Sequence, residues 1–177
     1  WRPCDTVESA VAWKSAIESR GGPSALVFTR QALPHQQRTP AQLENVARGG
    51  YVLQEAAGKA DAVIMASGSE VGLAMAAARE LSSAGVKVGV VSMPNPDLFL
   101  QQDQAYRDSV LPPSVRARVA VEAGVSAGWA RLVGDRGKVI GIDRFGASAP
   151  AEALYEHYGL TSANVSRAVR EALAATE

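Results

Sequence analysis

The sequence predicts an α/β fold in which helices cover both faces of a mostly parallel open sheet. Short, nearly continuous apolar segments recur along the chain, which is typical of strands that are buried on both faces. Longer helical patterns separate these segments. That alternation predicts a three-layer, doubly wound arrangement similar to a Rossmann fold.

The first 32 residues contain one predicted helix and one predicted strand. Asp5 or Thr6 is placed to cap a helix over residues 7–19, which two glycines then end. The apolar residues 24–29 predict a buried strand. Because one helix and one strand cannot form a domain alone, we expect residues 1–32 to be the last unit of a larger sheet domain.

A polar stretch with prolines at residues 34 and 40 follows, and this composition is typical of a linker. We place the linker at residues 33–50, with a short helix near residues 41–47. Residues 51–177 then form a second domain that begins with an edge strand at residues 51–53.

The second domain contains the full alternation of strands and helices. Further strands are predicted at residues 62–66, 86–92, 117–123 and 138–143. Helices are predicted at residues 70–84, 101–110, 128–133, 150–157 and 162–175. Gly85 and the pair Pro112-Pro113 separate several of these elements, since both residue types interrupt helices and strands.

Charge and cysteine content exclude several classes of protein. Lys and Arg together number 18, as do Asp and Glu, so no net charge favours nucleic acid or an anionic membrane. No apolar run approaches the roughly 18 residues that a membrane-spanning helix needs. Neither does an apolar leader open the chain. Cys4 is the only cysteine, which indicates a reducing, cytoplasmic environment.

The turn at Ser67-Gly68-Ser69-Glu70 follows a predicted strand and opens a predicted helix. Backbone N–H groups at such a position are able to bind an anion. The spacing of its glycine differs from that of the known phosphate-binding loops. We therefore favour a simple helix cap at Ser69.

The residues Gly124-Val125-Ser126-Ala127-Gly128 match the nucleophile elbow of serine hydrolases, between a predicted strand and a helix. Asp143 and His157 follow in the order that those enzymes use. However, His157 lies within a helical pattern and no glycine-rich oxyanion loop precedes the motif. A tight strand-to-helix turn is the favoured interpretation, and a serine hydrolase remains a remote alternative.

Metal and acid–base sites find little support in the sequence. His35 and His157 are far apart and Cys4 has no partner cysteine, so no metal-ligand spacing is present. Glu122 and Asp143 lie near the ends of predicted strands, so a shared cleft is one interpretation. We favour solvation, or hydrogen bonds to neighbouring turn amides, for both carboxylates, because a buried carboxylate pair is costly without a task.

Arg30 comes directly after the predicted strand at residues 24–29. Open α/β sheets bind ligands beyond the carboxyl ends of their strands. The planar guanidinium of an arginine forms two parallel, charge-assisted hydrogen bonds with a phosphate. From position alone, a phosphate contact and a surface salt bridge are equally supported.

Seven segments resemble the transketolase family, in the order in which that family carries them. They are residues 1–5 (WRPCD), 24–33, 49–53 (GGYVL), 67–71 (SGSEV), 91–94 (VSMP), 106–112 (YRDSVLP) and 142–148 (IDRFGAS). The resemblance implies a three-domain transferase that moves a two-carbon ketol unit between sugar phosphates in the pentose phosphate pathway. Residues 1–32 would end its pyrimidine-binding domain, and residues 51–177 would be its C-terminal domain.

The resemblance also implies thiamine diphosphate and Mg²⁺ or Ca²⁺ as cofactors of an intact, homodimeric, cytoplasmic enzyme. Arg30 matches the family arginine that binds the substrate phosphate. The family's catalytic residues, cofactor ligands and metal ligands would all precede Trp1, so the resemblance assigns none of them to this chain. We therefore expect the chain alone to bind no cofactor and to be inactive. The alternative is a non-catalytic module for subunit association or effector binding.

Overall fold

A five-stranded sheet forms the centre of the computed structural model, which describes residues 1–176. Strands β2 to β5 run parallel to one another, and β1 pairs antiparallel with β3 at one edge. The spatial order is β1-β3-β2-β4-β5. The strands are β1 (Tyr51–Gln54), β2 (Ala62–Ala66), β3 (Val88–Ser92), β4 (Ala117–Val121) and β5 (Lys138–Ile140). The predicted α/β fold is confirmed, including the edge strand.

Eight α-helices accompany the sheet within residues 1–176. They are α1 (Thr6–Glu18), α2 (Pro40–Val46), α3 (Glu70–Ser83), α4 (Pro96–Leu100), α5 (Gln104–Val110), α6 (Ala130–Val133), α7 (Ala151–Tyr158) and α8 (Ser162–Ala174). A 3₁₀ turn at Ser126–Trp129 leads into α6. No helix among these residues combines the length and the apolar character that crossing a bilayer requires.

Two apolar cores lie on opposite faces of the sheet. On one face, α3 and α8 contribute Leu81 and Val169, which pack with Ile64 of the central strand β2. On the other face, Phe99 and Trp129 pack against Met65, the next residue along β2. Adjacent strand residues thus enter different cores, which requires apolar side chains at every position and explains the continuous apolar runs.

Several helices begin at residues whose side chains cap them. Asp5 accepts a hydrogen bond from the backbone N–H of Glu8 at the start of α1, as predicted. Thr39 and Gln42 form a capping box at the start of α2. Such caps satisfy N–H groups that lack partners within the helix.

The predicted buried strand at residues 24–29 is wrong for this chain. These residues belong to no strand of the sheet, and Val27 and Phe28 are 54% and 44% exposed. A strand needs neighbouring strands to bury its two faces, and residues 1–176 provide none at this position. Phe28 instead stacks on Trp13 of α1, with 6.5 Å between the ring centroids.

Smaller differences concern where elements begin and end. The helix predicted at residues 101–110 begins three residues later, as α5, which Asp103 caps, and the short helix α4, which Asn95 caps, was not predicted. The strands predicted at residues 117–123 and 138–143 end two and three residues earlier. Both end where the chain turns toward the polar residues that follow the sheet.

The strand order creates a topological switch point between β2 and β4. The chain leaves β2 for β3 on one side and then crosses to β4 on the other side. The connections after the two parallel strands therefore diverge, and a crevice opens beyond their carboxyl ends. Ser67 follows β2 and Glu122 follows β4, so these two residues face each other across the crevice.

Candidate functional site

The crevice at the switch point holds a cleft of about 340 Å³. Loops after β2, β3 and β4 line it, together with the first two residues of the chain. Principal lining residues are Trp1, Arg2, Ser67, Asn95, Glu122 and Trp129. This is the position at which open α/β sheets bind ligands.

The Arg2 guanidinium fills the polar base of this crevice. Its Nη2 lies 3.1 Å from Oε2 of Glu70, and its Nη1 forms an ion pair with Glu122. Ser67 receives a 3.2 Å hydrogen bond from Arg2 and donates one of 2.6 Å to Glu122. Both carboxylates are buried, so one arginine compensates two charges that are largely shielded from water. We call these four residues the arginine clamp.

Tyr155 and Ser69 complete the surroundings of Glu70. The Tyr155 hydroxyl donates to Oε1 of Glu70 over 2.8 Å, and that of Ser69 donates to the same atom over 2.7 Å. Burial, reinforced by the adjacent Glu70 carboxylate, raises the pKa of Tyr155 to about 12, while Ser69 and Gln31 oppose the rise. Every oxygen of Glu70 therefore has a donor.

The predicted cap at Ser69 is wrong, since its side chain makes no capping hydrogen bond to the helix. Its hydroxyl is turned toward Glu70 instead. An anion bound at this turn would also compete with contacts that the turn makes within the chain. The N–H of Gly68 donates to the carbonyl of Arg2 over 2.9 Å, and two carboxylates lie beside the turn.

The backbone of Trp1 and Arg2 connects the crevice to the extended residues 24–29. On the crevice side, the N–H of Arg2 donates to Pro94 over 2.8 Å. On the other side, the Trp1 amino group donates to Ala25 over 2.7 Å, and the Trp1 carbonyl accepts from Val27 over 2.8 Å. Trp1 and Arg2 thus form a two-residue bridge between the sheet and the segment that leads to Arg30.

Arg30 lies at the end of that segment and is exposed. Its guanidinium makes no hydrogen bond or ion pair with the residues that the structure describes. The salt-bridge interpretation of Arg30 therefore has no partner among residues 1–176. The side chain is available to a ligand or to another part of a longer protein.

A second buried polar cluster holds the start of α1 against the sheet. Glu8, which is fully buried, accepts hydrogen bonds from Tyr51 over 2.8 Å and from Ser92 over 2.6 Å. Arg38 reaches Asp5 at 2.6 Å and Glu8 at 3.5 Å. Although burial raises the pKa of Asp5, hydrogen bonds from Arg38 and from two backbone amides lower it below its usual value.

The elbow residue Ser126 is not arranged as a hydrolase nucleophile. Its hydroxyl donates to Oδ2 of Asp143 over 2.7 Å, and its N–H donates to Oδ1 over 2.8 Å. These two hydrogen bonds lower the pKa of Asp143. His157, the expected base, lies in α7 with its Nε2 3.0 Å from Arg144. A carboxylate thus takes the position beside serine that a hydrolase needs for histidine.

Glu122 and Asp143 do not share a cleft. Glu122 belongs to the arginine clamp, whereas Asp143 accepts from a turn amide, the arrangement that we favoured for it. Among residues 1–176, no group of three or more His, Cys, Asp or Glu side chains is placed to hold a metal ion.

Sequence reasoning missed Arg2 and the role of Glu70. The available signal was indirect: Glu70 lies in the first turn of a helix whose start faces the core, and a buried carboxylate there requires a cationic partner. Because Arg2 precedes Glu70 by 68 residues, no local spacing relates the two.

The switch-point crevice and the three-layer sheet define a doubly wound α/β domain. Residues 49–161 match the family described as the transketolase-like TK C-terminal domain. The chain therefore belongs to the transketolase-like C-terminal domain family.

Individual relatives agree with this assignment. The chain is 54% identical over 173 residues to transketolase 1 of Escherichia coli, covering 98% of the chain but 26% of that protein. It is similar in structure to a transketolase from Pichia stipitis in complex with sedoheptulose-7-phosphate, with a TM-score of 0.89 and 38% identity over 98% of the chain and 25% of the other. Transketolase from Leishmania mexicana gives a TM-score of 0.88 and 40% identity over the same shares. The chain spans about a quarter of the length of the relatives it matches.

Proposed function

We propose that this chain serves as the C-terminal part of a transketolase that moves a two-carbon ketol unit from a ketose phosphate to an aldose phosphate. One observation carries the proposal: identity of 54% to a transketolase extends over 98% of the chain. Similarity over the whole chain includes the segment that ends at Arg30 as well as the domain. The proposal is therefore for the enzyme, and not only for a shared fold.

Thiamine diphosphate and Mg²⁺ or Ca²⁺ are the cofactors that we propose for the intact enzyme. The diphosphate needs a metal ion with oxygen ligands, and residues 1–176 offer no cluster of three candidate ligands. The residues present thus do not fit this cofactor, and its carbanion chemistry has to be held by the rest of the enzyme. The contribution of this chain is to bind and position the substrate.

Arg30 is the residue that we propose for binding the substrate phosphate. It is exposed and follows an extended segment. It also has no competing carboxylate partner among residues 1–176. A guanidinium in that state retains its donors for a bidentate contact with phosphate. Such a contact anchors the far end of the sugar and leaves the reacting carbons to other groups.

We propose that residues 1–32 complete a preceding pyrimidine-binding domain and that residues 51–177 are the C-terminal domain, joined by residues 33–50. The family match begins at residue 49, close to the second boundary. Trp13 and Ile17 of α1 are 54% and 71% exposed, which supports a missing neighbour for this face. A cytoplasmic homodimer of the pentose phosphate pathway is the proposed setting of the whole enzyme.

Ketol transfer by the chain and by its full-length protein tests the proposal. Both are supplied with thiamine diphosphate, Mg²⁺, xylulose 5-phosphate and ribose 5-phosphate, and sugar products are measured. We expect turnover by the full-length protein and none by residues 1–177 alone. Absence of transfer by a folded full-length protein would refute the proposed activity. Transfer by the chain alone would refute the proposal that the cofactor is held by the rest of the enzyme.

A further inference from the structure

We infer that Arg2 is a positioning residue for Arg30: the arginine clamp fixes the segment that presents Arg30 to the substrate phosphate. The inference rests on the proposed function of Arg30. It assigns to the switch-point crevice a task other than binding a separate ligand. The crevice receives a side chain of the same polypeptide and thereby holds the phosphate-binding segment against the C-terminal domain.

The clamp requires an arginine at this position and holds its guanidinium in one orientation. Three acceptors converge on its guanidinium, from Glu70, Glu122 and Ser67. Ser67 and Glu70 lie in the connection after β2 and at the start of α3, whereas Glu122 follows β4, so the planar fork has to point at both sides at once. A lysine ammonium keeps the charge but cannot reproduce contacts spread over two nitrogen atoms.

Because Trp1 and Arg2 are adjacent, the fixed position of Arg2 also restrains the extended residues 24–29 that pair with Trp1. Arg2 is held through its side chain and also through its backbone, between the loops after β2 and β3. Trp1 pairs through its backbone with Ala25 and Val27, in the manner of a short strand pair. Movement of Arg2 in the crevice would therefore displace residues 25–27.

Arg30 follows this anchored stretch by three residues. The residue after it is tied back toward the same stretch, since the N–H of Gln31 donates to the hydroxyl of Thr29 over 3.2 Å. Arg30 thus lies in a short bend next to the anchored residues, and its side chain remains exposed.

The inference is tested in the full-length enzyme by Arg2→Lys, with Lys14→Gln as the control. Lys14 lies in the same N-terminal segment but pairs only with exposed Glu18. We expect Arg2→Lys to raise KM for xylulose 5-phosphate about three- to tenfold, because loss of coupling between neighbouring sites is of this size. We expect kcat with the unphosphorylated donor hydroxypyruvate to stay within about twofold of the wild type. Lys14→Gln is expected to change neither.

A double-mutant cycle separates positioning from a general loss of structure. If Arg2 acts through Arg30, then Arg2→Lys adds no further increase in KM to that of Arg30→Ala. Glu122→Gln is the second variant, since it weakens the clamp from the acceptor side and is expected to show the same donor selectivity. If Arg2→Lys prevents folding, Glu122→Gln takes its place in the cycle.

The outcomes distinguish the two proposals. In one outcome, Arg30→Ala loses activity only with phosphorylated donors, whereas both clamp variants give additive or donor-independent losses. This result overturns the positioning role and leaves the proposed function standing. A donor-independent loss with Arg30→Ala overturns the phosphate role and the positioning inference together. Selective, non-additive losses establish both.

Discussion

The buried carboxylate of Glu8 accepts a 2.6 Å hydrogen bond from the hydroxyl of Ser92, 84 residues further along the chain. Glu8 lies in the first turn of α1, whereas Ser92 ends β3. Tyr51 of β1 donates to the same oxygen of Glu8, and Arg38 lies 3.5 Å from it. A single carboxylate thereby joins the N-terminal helix, the linker and two neighbouring strands.

Replacing Glu8 by alanine is therefore expected to destabilise the chain strongly. The substitution removes the buried acceptor of the Tyr51 and Ser92 hydroxyls and one of the two carboxylates beside Arg38. Breaking such a buried charged network costs about 3–5 kcal/mol. Glu8→Gln keeps the shape and one acceptor, so a smaller loss is expected. Urea unfolding of residues 1–177 measures both, with Lys14→Ala as an exposed control. Equal unfolding free energies for Glu8→Ala and Lys14→Ala would show that the cluster contributes nothing.

The stability of the chain should fall in acid partly because of Asp5. The pKa of Asp5 is lowered in the folded state, so folding favours its ionised form. Its contribution is fully present above the unfolded pKa of about 3.9 and is lost as the pH falls through the lower folded value. Asp5→Asn is expected to flatten the stability profile below about pH 4. Unfolding free energies measured from pH 2.5 to 7 check this, and parallel profiles for both proteins would contradict it.

In the full-length enzyme, Arg30→Ala is expected to discriminate between donors. Loss of a charge-assisted phosphate contact costs about 1.5–3 kcal/mol, which corresponds to one to two decades in affinity. KM for phosphorylated sugars should rise by that amount, whereas activity with hydroxypyruvate should stay largely intact. Arg30→Lys should recover part of the loss, since lysine keeps the charge without the fork. Affinity for thiamine diphosphate, measured by titration, serves as the internal control and should not change.

Ser126→Ala is expected to act on Asp143 and not on any hydrolytic activity. The hydroxyl and the N–H of Ser126 both donate to this carboxylate and lower its pKa. Removal of the hydroxyl should therefore move the pKa of Asp143 upward, toward its ordinary value, while the N–H contact persists. NMR titration of the side-chain carboxyl carbon measures the change. An unchanged pKa, or a measurable esterase activity that Ser126→Ala abolishes, would contradict this interpretation.

The sequence predicted the elements whose signal is local. Strand β2 has a continuous apolar run, and helix α8 has a regular helical period. The predicted bounds of both agree with the structure to within about one residue. The helix α4 was not predicted because its five residues are too few to show a helical period. The strand predicted at residues 24–29 is wrong because a buried strand needs neighbouring strands, which residues 1–176 do not provide at this position.

The candidate site was predictable only in part. The role of Arg30 stays a prediction, which rests on its position after an apolar segment and on its neighbouring residues. Arg2 was not found, since its partners Glu70 and Glu122 are distant in the sequence and no motif relates them. For Glu122, the favoured prediction of solvation or a turn amide is wrong for a similar reason: its partners Arg2 and Ser67 come near it only in the folded chain.

The two ends of the arginine clamp also leave the ribosome at different times. Glu70 follows Arg2 by 68 residues and Glu122 is synthesised later still. At about 5–20 residues per second, several seconds separate the first residue of the clamp from the last. Throughout that interval the crevice that binds the Arg2 side chain is incomplete. The contacts that Arg2 makes with the two strand connections therefore cannot all form until the polypeptide has been synthesised past Glu122.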